Sequence, residues 1–190
     1  MTTYILHGSF TRIDNDSNRS FFAEFLKDVQ DNGKVLLVFF AAKDDRVDSL
    51  CIEITKLCRG QLNGKQVTFT QATIEGFEAQ LEESDAVYLH GGNTPTLISV
   101  LKNYQNLKEK FAGKTIAGSS AGAYALATYG AAHTEEHIRI GLGILPIRLV
   151  CHFESPELPP SETSLIKIVQ ADQSLELIYI RDYEWKSIEG

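Results

Sequence analysis

Apolar residues along the chain fall into short blocks that switch between two periods, and that alternation predicts the fold. Tyr4 to His7 is a brief apolar run that stops at Gly8-Ser9. From Arg19 to Asp31, residues Phe21, Phe22, Phe25, Leu26 and Val29 recur at the spacing of an amphipathic helix, and Gly33 follows as a stop. Val35 to Phe40 is a continuous apolar run of strand length, Val47 to Leu57 reads as helix, and Gln66 to Thr70 as strand. A further buried strand, Ala86 to Leu89, runs into His90-Gly91-Gly92-Asn93-Thr94. Helices from Thr96 to Asn103 and around Leu107 lead to a strand that begins at Lys114. Leu149 to Cys151 and Leu175 to Ile180 are later strand-like runs. Strands that alternate with helices need right-handed crossovers, which place helices on both faces of a mainly parallel sheet. The pattern therefore predicts one three-layer α/β domain over residues 1–190.

Composition narrows the partners. The net charge is −7, with acidic residues spread along the chain, which argues against nucleic acid. No basic leader precedes an apolar stretch at Met1 to Gly8, and no segment approaches the ~20 apolar residues of a membrane span. A cytoplasmic protein with no membrane partner, monomeric or homodimeric, is expected. Cys51, Cys58 and Cys151 are odd in number and lack C-x-x-C spacing, so reduced thiols are expected rather than disulfides or a zinc site.

Chemistry enters at Lys114-Thr115-Ile116-Ala117-Gly118-Ser119-Ser120-Ala121-Gly122-Ala123, a strand that turns at a serine into a small-residue helix. A nucleophilic serine must stand clear of the backbone at a tight turn, so minimal side chains are needed two positions before and after Ser120, where Gly118 and Gly122 stand. The same composition also serves to pack a helix closely on a sheet, with no chemistry at all. In parallel sheets, ligands bind beyond the carboxyl ends of the strands, and the Gly91-Gly92 turn and Ser120 both lie at such ends. A serine attack creates an oxyanion that needs preorganised N–H donors; Ala121 would supply one, and Gly92 or its neighbour Gly91 another. Asn93 is a candidate substrate contact in that turn and equally, with Thr94, a candidate helix cap ahead of Pro95.

A base is also required. Of five histidines, His152 follows the Leu149-Val150-Cys151 run and precedes a Phe153-Glu154-Ser155-Pro156 turn, which places it at a strand end. His7 and His90 also end strands and are expected to line the pocket, whereas His133 and His137 sit in a polar stretch that reads as exposed.

Gly91-Gly92-Asn93-Thr94, Gly118-Ser119-Ser120-Ala121-Gly122-Ala123 and Cys151-His152-Phe153 stand in the order and rough spacing of the aspartyl dipeptidase (dipeptidase E) and cyanophycinase family of serine peptidases. The resemblance extends to Gly141-Leu142-Gly143-Ile144-Leu145-Pro146 and to the tail from Ile178 to Trp185. It implies a class I glutamine amidotransferase-like (flavodoxin-like) fold, a small peptide substrate and no metal or organic cofactor. It also implies Ser120 as nucleophile and His152 as base. For the acid, the resemblance offers Asp182 in a late turn between strands, and a competing place about fifteen residues after the serine, where Glu135 and Glu136 stand. Asp182 is preferred, because the Leu175 to Ile180 strand can fix a carboxylate, while Thr134 to His137 reads as a loop. Either acid would orient the imidazole and stabilise its cation.

One departure bears on specificity. Aspartyl dipeptidases carry an arginine in a Glu-Thr-Arg context, whereas here Glu162-Thr163 is followed by Ser164, with Lys167 the cation nearby and the candidate substrate contact. Lysine does not replace the planar fork of arginine. Two rivals share parts of the pattern. An α/β-hydrolase has the order serine, acid, histidine, but no histidine follows His152. A non-catalytic amidotransferase-like domain would keep the pocket for binding or scaffolding a partner.

Overall fold

The computed structural model describes residues 1–134 and 137–190. In chain order the elements are β1 (Thr3–His7), α1 (Asp16–Leu26), β2 (Gly33–Val38), α2 (Asp44–Arg59), β3 (Val67–Gln71), α3 (Phe77–Glu83), β4 (Ala86–Leu89), α4 (Thr94–Leu101), α5 (Leu107–Lys110) and β5 (Thr115–Ser119). They continue with α6 (Ala121–Leu126), β6 (Ala127–Gly130), β7 (Arg139–Ile140), β8 (Leu145–Val150), α7 (Glu162–Gln170), β9 (Glu176–Tyr179) and β10 (Trp185–Glu189).

The central sheet has six strands in the order β10-β1-β5-β4-β2-β3, all parallel except β10, which lies antiparallel on β1. Alternation along its strands divides the core in two. Ile5, Val35, Leu37, Ala86 and Tyr88 face Phe21, Phe22, Phe25, Leu50 and Ile54 of α1 and α2. Tyr4, Leu6, Leu36, Val38, Val87 and Leu89 face the other way, onto Phe77, Leu97, Phe111 and Tyr124. This is the α/β layering expected, and each buried phenylalanine contributes roughly 2 kcal/mol through burial alone.

The alternating pattern does not predict a second sheet, β7-β6-β8-β9, in which β6, β8 and β9 run parallel. Its Leu145, Ile147, Leu149 and Ile178 join the same core as α6, so α6 lies between the two sheets and all six of its residues are buried. That is why it is built of Ala, Gly, Tyr and Leu. Helix α7 covers the other face through Ile168, packed with Val150 and Ala131.

Helix α1 starts earlier than the apolar spacing suggests because the Asn15 side chain caps it, accepting the Asn18 N–H at 2.8 Å. The three cysteines are free thiols. Among the described residues no helix is long and apolar enough to cross a membrane.

Candidate active site

Strand β5 ends at Ser119, and the chain turns at Ser120 with φ 47° and ψ −106°, outside the ordinary regions for an L residue. Two hydrogen bonds hold that turn. The Ser120 N–H donates to the His7 carbonyl at 3.1 Å, and the Ser120 carbonyl accepts the Tyr124 N–H at 2.9 Å. Close packing fixes the flanking glycines: a Cβ on Gly122 would stand 2.0 Å from the Leu89 carbonyl oxygen, and one on Gly118 2.6 Å from the Gly122 carbonyl carbon. Glycine at these positions is thus a steric requirement of bringing α6 onto β4 and β5.

His152 follows β8 in a left-handed conformation, φ 55°. Its Nε2 lies 3.1 Å from Ser120 Oγ, and its Nδ1 lies 2.6 Å from Asp182 Oδ1. Asp182 occupies the turn between β9 and β10. That turn is docked onto the end of β1, with the Gly8 N–H donating to the Glu184 carbonyl at 2.9 Å and the Tyr183 N–H to the Ser9 carbonyl at 3.0 Å. A Cβ on Gly8 would meet the Arg181 carbonyl oxygen at 1.9 Å, so the docking needs glycine there. The His152 and Asp182 side chains are only 2% and 11% exposed, which shields their bond from water. Burial lowers the His152 pKa below its ordinary 6.5, partly opposed by the hydrogen bond and charge of Asp182. The imidazole is therefore neutral at pH 7 and able to accept a proton.

The structure thus brings together Ser120, His152 and Asp182. Glu135, the competing acid, lies outside the described residues. Beside Ser120 lies the glycine loop, where a Cβ on Gly91 would be 3.4 Å from Ser120 Cβ. Within it the two glycines are not equivalent. The Gly91 N–H donates to Ser119 Oγ at 3.1 Å, so Gly91 is unavailable as an oxyanion donor, contrary to its candidacy from sequence. Among the described residues neither the Gly92 N–H nor the Ala121 N–H, at the start of α6, has a hydrogen-bond acceptor. Asn93 acts as the N-cap of α4, its Oδ1 accepting the Thr96 N–H and hydroxyl, both at 2.9 Å.

Of the other candidates, Lys167 is exposed on α7. Ser164 is buried, with its Oγ accepting the Ala132 N–H at 2.8 Å and donating to the His137 carbonyl at 3.4 Å. It ties α7 to the segment after β6 and offers a substrate no charge. His7 is buried, its Nε2 2.9 Å from Asn18 Oδ1, and His90 Nδ1 donates to the Gly91 carbonyl at 2.7 Å. Burial lowers the pKa of both to about 4.

Sequence reasoning missed three residues near this site. His133, expected to be exposed, is half-buried with its ring 5.1 Å from that of His152, edge to face. Phe10 meets the His152 ring at 5.5 Å. Arg139 is half-buried, donates to Thr94 Oγ1 at 2.8 Å beside the glycine loop, and lies over the Tyr124 ring. Among the described residues no three His, Cys, Asp or Glu side chains converge as a metal site. A cavity of about 700 Å³ opens between α1 and α2 and is lined by residues such as Arg12, Asn18 and Glu53, with neither Ser120 nor His152.

A serine at a strained strand-to-helix turn, approached by a buried histidine that is itself bonded to a carboxylate, is the apparatus of a serine-type hydrolase. Comparison with known proteins carries this to a family. Residues 5–190 match peptidase family S51, so the chain belongs to that family and is a serine-type peptidase. Its fold is similar to that of a peptidase from an acI-B1 Actinobacterium, with a TM-score of 0.69 at 20% identity, covering 100% of this chain and 84% of that one. It is equally similar to a protein from Listeria monocytogenes EGD-e assigned to Peptidase E, again at 0.69 and 20% identity, covering 100% and 95%. No curated protein matches.

Proposed function

We propose that this peptidase hydrolyses short peptides through a Ser120–His152–Asp182 triad. The observation that carries this reading is the continuous pair of contacts, 3.1 Å from Ser120 Oγ to His152 Nε2 and 2.6 Å from His152 Nδ1 to Asp182 Oδ1. In this arrangement Ser120 Oγ attacks the scissile carbonyl carbon while its proton passes to His152 Nε2. Asp182 holds Nδ1–H toward itself, which selects the tautomer with a free Nε2 lone pair, and stabilises the imidazolium as it forms. The oxyanion is received by the Gly92 and Ala121 N–H groups. His152 then protonates the leaving amine, the C–N bond breaks, and water repeats the sequence on the acyl-enzyme. A merely scaffolding domain has no need of a strained serine against a shielded imidazole, and this favours hydrolysis.

The short-peptide part rests on the short connections beside Ser120, one residue between β5 and α6 and four between β4 and α4, which hold no insertion that would shape a polymer-binding cleft. A strong aspartyl preference is not part of the proposal. Ser164 is turned into the protein by its bonds to Ala132 and His137, and Lys167 is an exposed point charge. A dipeptide-library screen tests both parts. Hydrolysis that depends on Ser120 is expected, with kcat/KM for Asp-X exceeding matched Asn-X by less than ~10²-fold, about 2.7 kcal/mol. Cleavage confined to long polypeptides would contradict the short-peptide reading. A larger aspartate preference that disappears in Lys167→Ala would show that the lysine does select the acidic side chain.

A further inference from the structure

Ser119, directly before the proposed nucleophile, is 1% exposed and has no part in the chemistry above. Its hydroxyl is nevertheless at the centre of a buried network. Ser119 Oγ accepts the Gly91 N–H at 3.1 Å and lies 2.9 Å from the Tyr88 hydroxyl, which lies 3.1 Å from Thr11 Oγ1. Each hydroxyl has one proton to donate and lone pairs to accept, so the three can be satisfied in a single direction along the relay. Tyr88 is a rigid support: its ring is fully buried among Phe21, Phe22 and Phe25. At the far end, Thr11 belongs to the loop that sets Phe10 against the His152 ring.

The consequence falls on Gly92. On one side of it, the Gly91 amide is fixed by Ser119 Oγ; on the other, the Asn93 N–H donates to the Ala41 carbonyl at 2.8 Å. Between them Gly92 takes φ 144°, and a Cβ there would come within 2.3 Å of the same Ala41 oxygen. The peptide that carries the Gly92 N–H is therefore clamped at both ends, next to Ser120.

We propose that Ser119 is a positioning residue: its Oγ engages the Gly91 amide, reserves the Gly92 N–H as the oxyanion donor of this loop, and links that donor through Tyr88 and Thr11 to the loop against His152. This rests on the triad reading, and the test separates the two.

The test uses a fluorophosphonate. Ser120 Oγ attacks phosphorus, the O–P bond forms, the P–F bond breaks with loss of fluoride, and the Ser120 proton passes to His152 Nε2. The phosphoryl oxygen takes the oxyanion position, so the maximal inactivation rate constant reports the donors while the inhibition constant reports binding. Since loss of one oxyanion donor costs ~10²–10³-fold, Ser119→Ala, which loosens a donor without removing it, is expected to lower the rate constant by ~10–100-fold and to change the inhibition constant by less than ~3-fold. Ser119→Cys, a weaker acceptor of similar shape, should fall between it and wild type. The Gly91 amide should exchange its hydrogen faster in Ser119→Ala than in wild type. Tyr88→Phe, which keeps the ring and the Ser119–Gly91 bond, should show a smaller loss, and it serves if Ser119→Ala does not fold. Wild-type labelling at Ser120 with an unchanged rate constant in Ser119→Ala, or in Tyr88→Phe if that variant alone folds, would overturn this assignment and leave the triad standing. Failure of the wild-type protein to label at Ser120 would overturn both.

Discussion

Asp182 Oδ1 lies 2.6 Å from His152 Nδ1, and the two side chains meet from the ends of neighbouring parallel strands. Val150 of β8 pairs with Tyr179 of β9, so the register of the second sheet delivers His152 and Asp182 to the same edge. The six-stranded sheet delivers Ser120 at the end of β5, beside β1. Each sheet thus contributes one part of the proposed triad, and the turn carrying Asp182 connects them.

Replacing Asp182 by Asn should preserve this geometry while allowing the wrong tautomer, with an expected loss in kcat of ~10³–10⁴-fold. Glu135→Gln, at the competing position, should stay within ~3-fold of wild type, because His152 Nδ1 is already engaged by Asp182. Steady-state kinetics on the best dipeptide would check both. The opposite ranking would transfer the role of acid to Glu135.

The pH profile should reflect burial of the base. His152 must be neutral to accept the Ser120 proton, and burial lowers its pKa below 6.5. The acidic limb of kcat/KM is therefore expected to have its midpoint below 6.5, with activity falling as pH drops through it. A midpoint above 6.5 would mean that Asp182 outweighs burial.

Stability should also fall on the acid side, for a related reason. His7 and His90 have folded-state pKa values of about 4 against an ordinary 6.5, so between those values the unfolded chain binds protons that the folded chain does not. Their contribution is complete above pH 6.5 and is lost as pH falls toward 4. From pH 7 to pH 5 the loss is about 2 kcal/mol for each. Urea denaturation at the two pH values measures it. Equal stabilities would show that neither imidazole is held neutral.

Gly122→Ala would place a methyl group 2.0 Å from the Leu89 carbonyl oxygen, so α6 must move away from β4. Overpacking of this kind costs about 1–3 kcal/mol, and the shift would also displace Ser120. A lower Tm together with an activity loss greater than ~10-fold is expected, given the sensitivity of attack geometry to small displacements. Wild-type activity in this variant would show that the close approach of α6 is dispensable.

Much of the central sheet was legible because its strands are continuous apolar runs and its helices keep a clean periodicity, as at Phe21, Phe22 and Phe25 of α1. The second sheet was not. Strand β6 follows α6 directly, so Ala121 to Gly130 offers no turn residue to separate helix from strand. Strand β8 contains Pro146 and the buried Arg148, whose guanidinium donates to the carbonyls of Leu175, Ile168 and Val169. A charge answered by distant carbonyls reads as surface in a sequence. Ser120 and His152 were recognisable as residues, since each stands at a turn after an apolar run, and the family resemblance offered Asp182, but their distances depend on two sheets meeting. His133 lies among polar neighbours that suggest solvent, and only the tertiary fold puts its ring against His152. The engagement of Gly91 by Ser119 likewise joins residues 28 positions apart.

The proposed triad stands or falls with Ser120 as its nucleophile. The most direct measurement is peptide-resolved mass spectrometry after fluorophosphonate treatment, paired with dipeptide hydrolysis by Ser120→Ala. A single adduct on Ser120 is expected, with none in Ser120→Ala, and a loss of hydrolysis of ~10³-fold or more with the fold intact. An adduct on another serine, with Ser120→Ala still labelled and still active, would contradict that role.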